Sequence, residues 1–169
     1  MQNKVLTTLI LSAVLLTVNN ATARVNSTGM YKTGEKLALN GKIDGAIKIF
    51  QRVIEINPYY CLGHYGLGKA YLYKKGFLDE AIKHLKKAVT LDKRLSKGYF
   101  YLGMAYYLSE KYVRALHAFK NSYKYDDSLI AALYNIAVIY DVTKQKYEAG
   151  IYYSLYKKEK VKDEKDLPF

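Results

Sequence analysis

Two stretches of this chain, LGKAYLYKKGFLDEA starting at Leu67 and LGMAYYLSEKYVRALHAF starting at Leu102, repeat one pattern 35 residues apart. A period of that length points to a stack of like supersecondary units, each burying its apolar face on the next, and not to one collapsed core. Weaker copies lie on both sides. A small alanine followed four residues later by an aromatic or leucine recurs as Ala46/Phe50, Ala81/Leu85, Ala115/Phe119 and Ala149/Tyr153. Another small residue stands twelve or thirteen positions before each alanine: Gly34, Gly68, Gly103 and Ala137. Three positions beyond that comes Leu37, Tyr71, Tyr106 or Tyr140. Four abutting units result, 27–60, 61–95, 96–129 and 130–163, followed by a short charged tail at 164–169. The second unit carries one extra residue in its internal turn, around Lys74–Leu78.

Each unit holds two stretches with apolar residues at i, i+3, i+4 and i+7, the spacing of a helix with one buried face. The small residues leave room for two helices to approach closely. Asn57, Asp92 and Asp126 share one register ahead of the next unit's first helix, where a side-chain oxygen is expected to cap free N–H groups. Pro58 then suits a first helical turn, which needs no donor. The run from Lys157 to Asp166 reads as the end of the last helix, stopped by Pro168. The fold class expected is all-α, with eight helices.

The small, aromatic, alanine and proline slots resemble those of the tetratricopeptide repeat (TPR) family. Four consecutive in-register units carry the resemblance. It departs from the family where each first helix opens on Met30, His64, Tyr99 or Leu133 instead of tryptophan, and where the closing proline appears once, as Pro58. The resemblance implies a right-handed solenoid of four helix-turn-helix repeats.

The N-terminus reads differently. Lys4 supplies a positive charge, Val5–Val18 is a 14-residue stretch dominated by apolar residues, and Ala21-Thr22-Ala23 fits a small-x-small cleavage rule. A membrane span needs about 18 or more apolar residues. Residues 1–23 are therefore expected to be a cleaved secretory signal, with an uncleaved tether as the alternative and no transmembrane span in the mature form. The expected destination is the periplasm, or else the extracellular space. Cys61 is the sole cysteine, so no intrachain disulfide can form and the stack must stand on packing.

Nothing in the chain announces catalysis. His64, His84 and His117 show no HExxH-like spacing, and no GxSxG, phosphate-cradling glycine loop or cysteine cluster occurs. His64 fills a slot for a large packing residue, and the other two histidines lie on second helices. The expectation is no enzyme, no metal and no cofactor.

A surface for partners remains. In TPR proteins the first helices line a concave groove, and the second, fifth, ninth, twelfth and thirteenth slots face it. The resemblance then implies a groove of Tyr31 and Glu35 in the first unit, and Leu62, Tyr65, Lys69, Leu72 and Tyr73 in the second. The third unit would add Lys97, Phe100, Met104, Tyr107 and Leu108, and the fourth Tyr134, Val138 and Asp141. The fifth slot is aromatic throughout (Tyr31, Tyr65, Phe100, Tyr134), which makes a ladder of rings suited to an apolar or aromatic partner segment. The family's clamp for a chaperone's C-terminal carboxylate needs a lysine and asparagines in the first two units and two basic residues in the third, whereas the matching slots hold Tyr31, Glu35, Gly66, Lys97 and Tyr101. Only Lys97 fits, so that ligand is not expected.

The net charge is +12, and the second unit sets eight basic residues against three acids. Its outward helix could meet an acidic protein or an anionic membrane surface. Lysine outnumbers arginine 23 to 4, which with export argues against nucleic acid. Tyr152, Tyr153, Leu155 and Tyr156 crowd the last helix, where no further unit follows to cover them. They must fold back on the fourth unit or be covered by another molecule. The reading is a non-enzymatic adaptor or scaffold that binds a protein or peptide, as part of an envelope assembly. A self-associating homo-oligomer and a glycan or small-ligand module are the alternatives.

Overall fold

The computed structural model describes residues 26–165, and no strand occurs among them. The first helix, α1, covers residues 26–39. It is followed by α2 (Ile43–Ile56), α3 (Cys61–Leu72), α4 (Leu78–Leu91), α5 (Ser96–Leu108), α6 (Tyr112–Tyr125), α7 (Ala131–Val142) and α8 (Lys146–Lys165). From α2 onward each helix packs chiefly on its neighbours in the chain, and α3 also touches α5, so first helices lie side by side. The described residues thus form an all-α solenoid of four helix pairs. The proposed signal, residues 1–23, and Pro168 lie outside the described residues.

First and second helices differ because their surroundings differ. α2 and α4 bury one stripe, such as Ala46, Ile47, Phe50 and Val53 on α2, and leave their lysines and acids in water. α3 has neighbours on several sides, and every residue from Gly63 to Gly68 is buried. A helix hemmed in this way cannot carry a polar half.

The small slots admit large side chains from the facing helix. Ala46, Ala81 and Ala115 are fully buried. The Phe50 ring lies between Gly34 of its own unit and Gly66 of the next, where a Cβ on either glycine would sit 2.6 Å from Cε1. Phe119 fills the notch at Gly103 in the same manner. Close-packed interiors do not absorb an added carbon at that distance without moving the ring.

Two turn types alternate along the stack. Within units the chain passes through a left-handed residue five positions before the conserved-slot alanine: Gly41 (φ 73°), Gly76 (φ 85°), Glu110 (φ 56°) and Lys144 (φ 62°). In three units this closes a Schellman motif. Lys42 N–H donates to Leu37 O (2.9 Å) and Gly41 N–H to Ala38 O (3.0 Å), with matching pairs Lys111–Tyr106 and Glu110–Tyr107, then Gln145–Tyr140 and Lys144–Asp141. The second unit, with its extra residue, turns instead through Lys74 N–H to Tyr71 O.

Between units the structure corrects the expected caps. Asn57, Asp92 and Asp126 end α2, α4 and α6, and the next helices have no side-chain cap. Their oxygens instead accept from the N–H two residues on: Tyr59 (3.2 Å), Arg94 (2.9 Å) and Ser128 (3.1 Å). These are Asx turns, which bring the chain around before the next helix begins. Pro58 accordingly occupies the turn closed by Tyr60 N–H to Asn57 O (3.1 Å), and not the first turn of α3.

Two stability changes follow from this packing. Glu110→Gly relieves a left-handed L-residue and should raise stability by about 0.5–1 kcal/mol, read by urea denaturation. Gly66→Ala traps Phe50 against Gly34 with nowhere to retreat and should lower stability by about 1–3 kcal/mol.

Candidate functional site

Between α1 and α3 lies an open cavity of about 440 Å³. It brings together Tyr31, Glu35, Tyr65, Lys69 and Tyr73, five of the expected groove residues, from two successive units. Tyr31 and Tyr65 are each 7% exposed and form its floor. Tyr31 packs on Phe50 (centroids 5.6 Å apart) and Tyr60 (6.1 Å), while Tyr65 meets Tyr101 edge-on (5.8 Å). The Tyr31 hydroxyl donates to Glu35 Oε1 at 2.8 Å. Burial, then the Glu35 contact, raises the Tyr31 pKa, and burial followed by neighbouring Tyr101 raises that of Tyr65. Both phenols therefore stay protonated donors. At the rim, Tyr73 is 62% exposed and Lys69 Nζ lies 4.9 Å from the Tyr101 ring centroid. Leu39, 84% exposed, also lines the cavity. It was missed in the sequence, although it occupies the first unit's thirteenth slot, the slot that supplied Tyr73 and Leu108.

The other expected groove residues lie outside this cavity. Leu62 and Leu72 are half-buried on α3, and Lys97 is exposed at the start of α5. Phe100 is half-buried, edge-on to Tyr101 and Phe119 (5.6 Å to each). Met104 and Tyr107 are half-buried, with Tyr107 against Tyr112, and Leu108 is exposed. On α7, Tyr134 is exposed and packs against Tyr153 (5.9 Å) and Tyr156 (5.5 Å), and Val138 is half-buried. The Asp141 carboxylate is engaged by Lys146 Nζ at 2.6 Å. The four fifth-slot rings thus differ in exposure, from floor at Tyr31 and Tyr65 to open surface at Tyr134.

The comparisons agree with the geometry. A tetratricopeptide-repeat family model matches residues 29–58, and the four helix pairs have the TPR fold. The chain's fold is similar to a crystal structure of MamA, at 28% identity over 73% of this chain and 71% of that one, with a TM-score of 0.67. A MamA structure from Desulfovibrio magneticus RS-1 is 19% identical over 83% of this chain and 78% of that one (TM-score 0.73). The first TPR domain of Spaghetti (RPAP3), bound to the HSP90 peptide SRMEEVD, is 20% identical over 70% of this chain and 93% of its own (TM-score 0.67). No curated protein matches the chain.

One feature of the second unit escaped the sequence. His64 and His84, twenty residues apart, stack at 5.4 Å with their Nδ1 atoms 3.2 Å apart. His64 Nε2 lies 3.0 Å from Pro58 O, which can only accept, so Nε2 carries the proton. His64 Nδ1 is then the acceptor and His84 Nδ1 the donor. The neighbouring thiol of Cys61, half-buried at the start of α3, is held above its usual pKa by burial, then by Asp92, and so stays protonated. Burial lowers the pKa of His64, and burial with His64 and Lys83 nearby lowers that of His84 to about 4.

Both imidazoles are therefore neutral in the fold, while the unfolded chain takes up their protons near pH 6.5. The stability they protect is present above pH 6.5 and declines as the pH falls toward about 4. The double variant His64→Tyr/His84→Ala, which copies Tyr99 and Ala118 of the third unit, should flatten the melting temperature across that window.

Proposed function

We propose that this chain is a non-enzymatic interaction adaptor of the cell envelope, which holds a segment of a partner protein in the groove formed by its first helices. The observation carrying this reading is the cavity between α1 and α3, where residues from the same slots of two units meet. Its floor is aromatic, its rim offers exposed apolar side chains at Leu39 and Tyr73, and Glu35 and Lys69 supply one charge of each sign. A side chain entering there would bury apolar area and find a donor or acceptor for its neighbouring backbone. The RPAP3 domain, bound to a peptide, is a precedent for peptide binding by this fold. The envelope address rests on the N-terminal pattern of Lys4, Val5–Val18 and Ala21-Thr22-Ala23.

The burial of Tyr65 makes it a poor probe, because its loss would disturb packing as well as binding. Leu39 and Tyr73 are exposed, so Leu39→Ser and Tyr73→Ser should leave helicity and melting unchanged. A photoreactive residue at Tyr73 should crosslink one protein in intact cells, and Leu39→Ser should diminish the adduct. An adduct insensitive to Leu39→Ser would overturn the groove reading. Residues 1–30 fused to alkaline phosphatase should give activity outside the cytoplasm, and an inactive, cytoplasmic fusion would overturn the envelope address.

A further inference from the structure

Successive second helices leave a crevice on the side of the stack away from the groove slots, and the three crevices are filled differently. The deciding position lies three residues after the slot alanine: it is His84 on α4, Ala118 on α6 and Tyr152 on α8. Between α2 and α4, His84 reaches in to His64 and lies 5.9 Å from the Tyr71 ring, while Gln51 Nε2 donates to the Tyr71 hydroxyl (3.3 Å). Between α6 and α8, Tyr152 stacks on Tyr140 at 5.5 Å, and Lys120 Nζ donates to the Tyr140 hydroxyl (3.4 Å). Those two crevices are closed by their own side chains. The middle one is not, because Ala118 has nothing beyond Cβ to place there. An open cavity of about 430 Å³ remains between α4 and α6, enough for one or two large side chains.

Its walls and rim are of different chemistry. Val89, Leu102, Tyr106 and Val113 make an apolar lining, with Val113 81% exposed at the mouth. Lys86, Arg114 and His117 stand around it, and no carboxylate lines it. The Arg114 guanidinium is 6.0 Å from the Tyr106 ring centroid, and neither Lys86 nor Arg114 makes an ion pair with a described carboxylate. The first crevice has a more acidic rim, since Glu55, Asp79 and Glu80 occupy the positions of Thr90, Val113 and Arg114, with Gln51 in place of Lys86 and Lys83 in place of His117. The α5 residues involved, Tyr99, Leu102 and Tyr106, also differ from those assigned to the groove, so the two surfaces are separate.

We infer that the crevice between α4 and α6 is a second docking site, which takes an apolar side chain from an acidic segment of a partner protein. The cations around the mouth would pair with carboxylates flanking that side chain. A bilayer is a poorer match, because the apolar surface is recessed instead of projecting. Nucleic acid is poorer too, because the lining is mostly aliphatic and offers bases little to stack on. A second copy is disfavoured by a net charge of +12.

The test measures fluorescence anisotropy of a labelled peptide of glutamates around one central phenylalanine, added to the full chain. Binding should saturate and should weaken at least about tenfold when serine replaces the phenylalanine. Ala118→Tyr, which imitates Tyr152, should fill the crevice and weaken binding to a similar degree while circular dichroism shows the helices retained. Val113→Asp, at an exposed position that cannot disturb the core, should do the same through repulsion. A folded Ala118→Tyr or Val113→Asp variant that binds like the parent overturns the proposal. So does equal affinity for the serine peptide, which would reduce the site to charge alone. Phosphatidylglycerol vesicles, an oligonucleotide or a second copy retained in place of the peptide, and released by Ala118→Tyr, would assign the crevice to a different partner and overturn it as well.

Discussion

A large side chain seated in a notch of small residues is the interaction on which this stack depends. Phe50 shows it in full, with Gly34 beneath the ring and Gly66 of the next unit above it. The ring closes its own helix pair and at the same time fixes the distance to the following one. Phe119 at Gly103 and Leu85 at Gly68 perform the first of these tasks in later units. Full burial of one such side chain contributes about 1.5–3 kcal/mol relative to exposure. Because each notch involves only adjacent units, stability accumulates along the chain and not around a centre. With Cys61 the sole cysteine, no internal crosslink supplements it.

Much of this architecture could be read from the period, because helix pairing needs small and large residues at fixed separations. The extra residue near Lys74–Leu78 was legible for the same reason, and it appears as a different turn. Polar turn residues were harder to read. Asn57, Asp92 and Asp126 have the composition of helix caps, yet the same oxygens can close an Asx turn, and the backbone ahead of the next helix selects the second use. The His64–His84 pair was not legible at all. Twenty residues separate the two, and only the crossing of α3 over α4 brings their rings together.

The candidate groove was legible to a lesser degree. The family's slots located Tyr31, Glu35, Tyr65, Lys69 and Tyr73, which the structure gathers around one cavity. Slot number says which way a side chain leaves the helix, but not how far its neighbours cover it. Tyr31 is covered by Phe50 and Tyr60, whereas Tyr134 keeps an open edge beside Tyr153 and Tyr156. Tyr152, Tyr153 and Tyr156 of α8 turn back onto Tyr140 and Tyr134 of α7 and are half-buried there. Tyr147 and Ile151 remain at the outer surface of α8.

In a repeat stack the positions that agree build the scaffold, so individuality must reside where the units disagree. The slot three residues past each alanine makes the point, since it holds Ile49, His84, Ala118 and Tyr152 in turn. Each lies on a second helix, and the side chain decides whether the adjoining crevice is a buried imidazole pair, an open cavity or a stacked pair of tyrosines. Substituting one residue at such a slot alters a surface without altering the notches that hold the helices together. Selection can therefore change what a unit binds, or whether it binds, at small cost to the fold. Ala118 is the smallest of the four, and the cavity beside it is the direct consequence of that size.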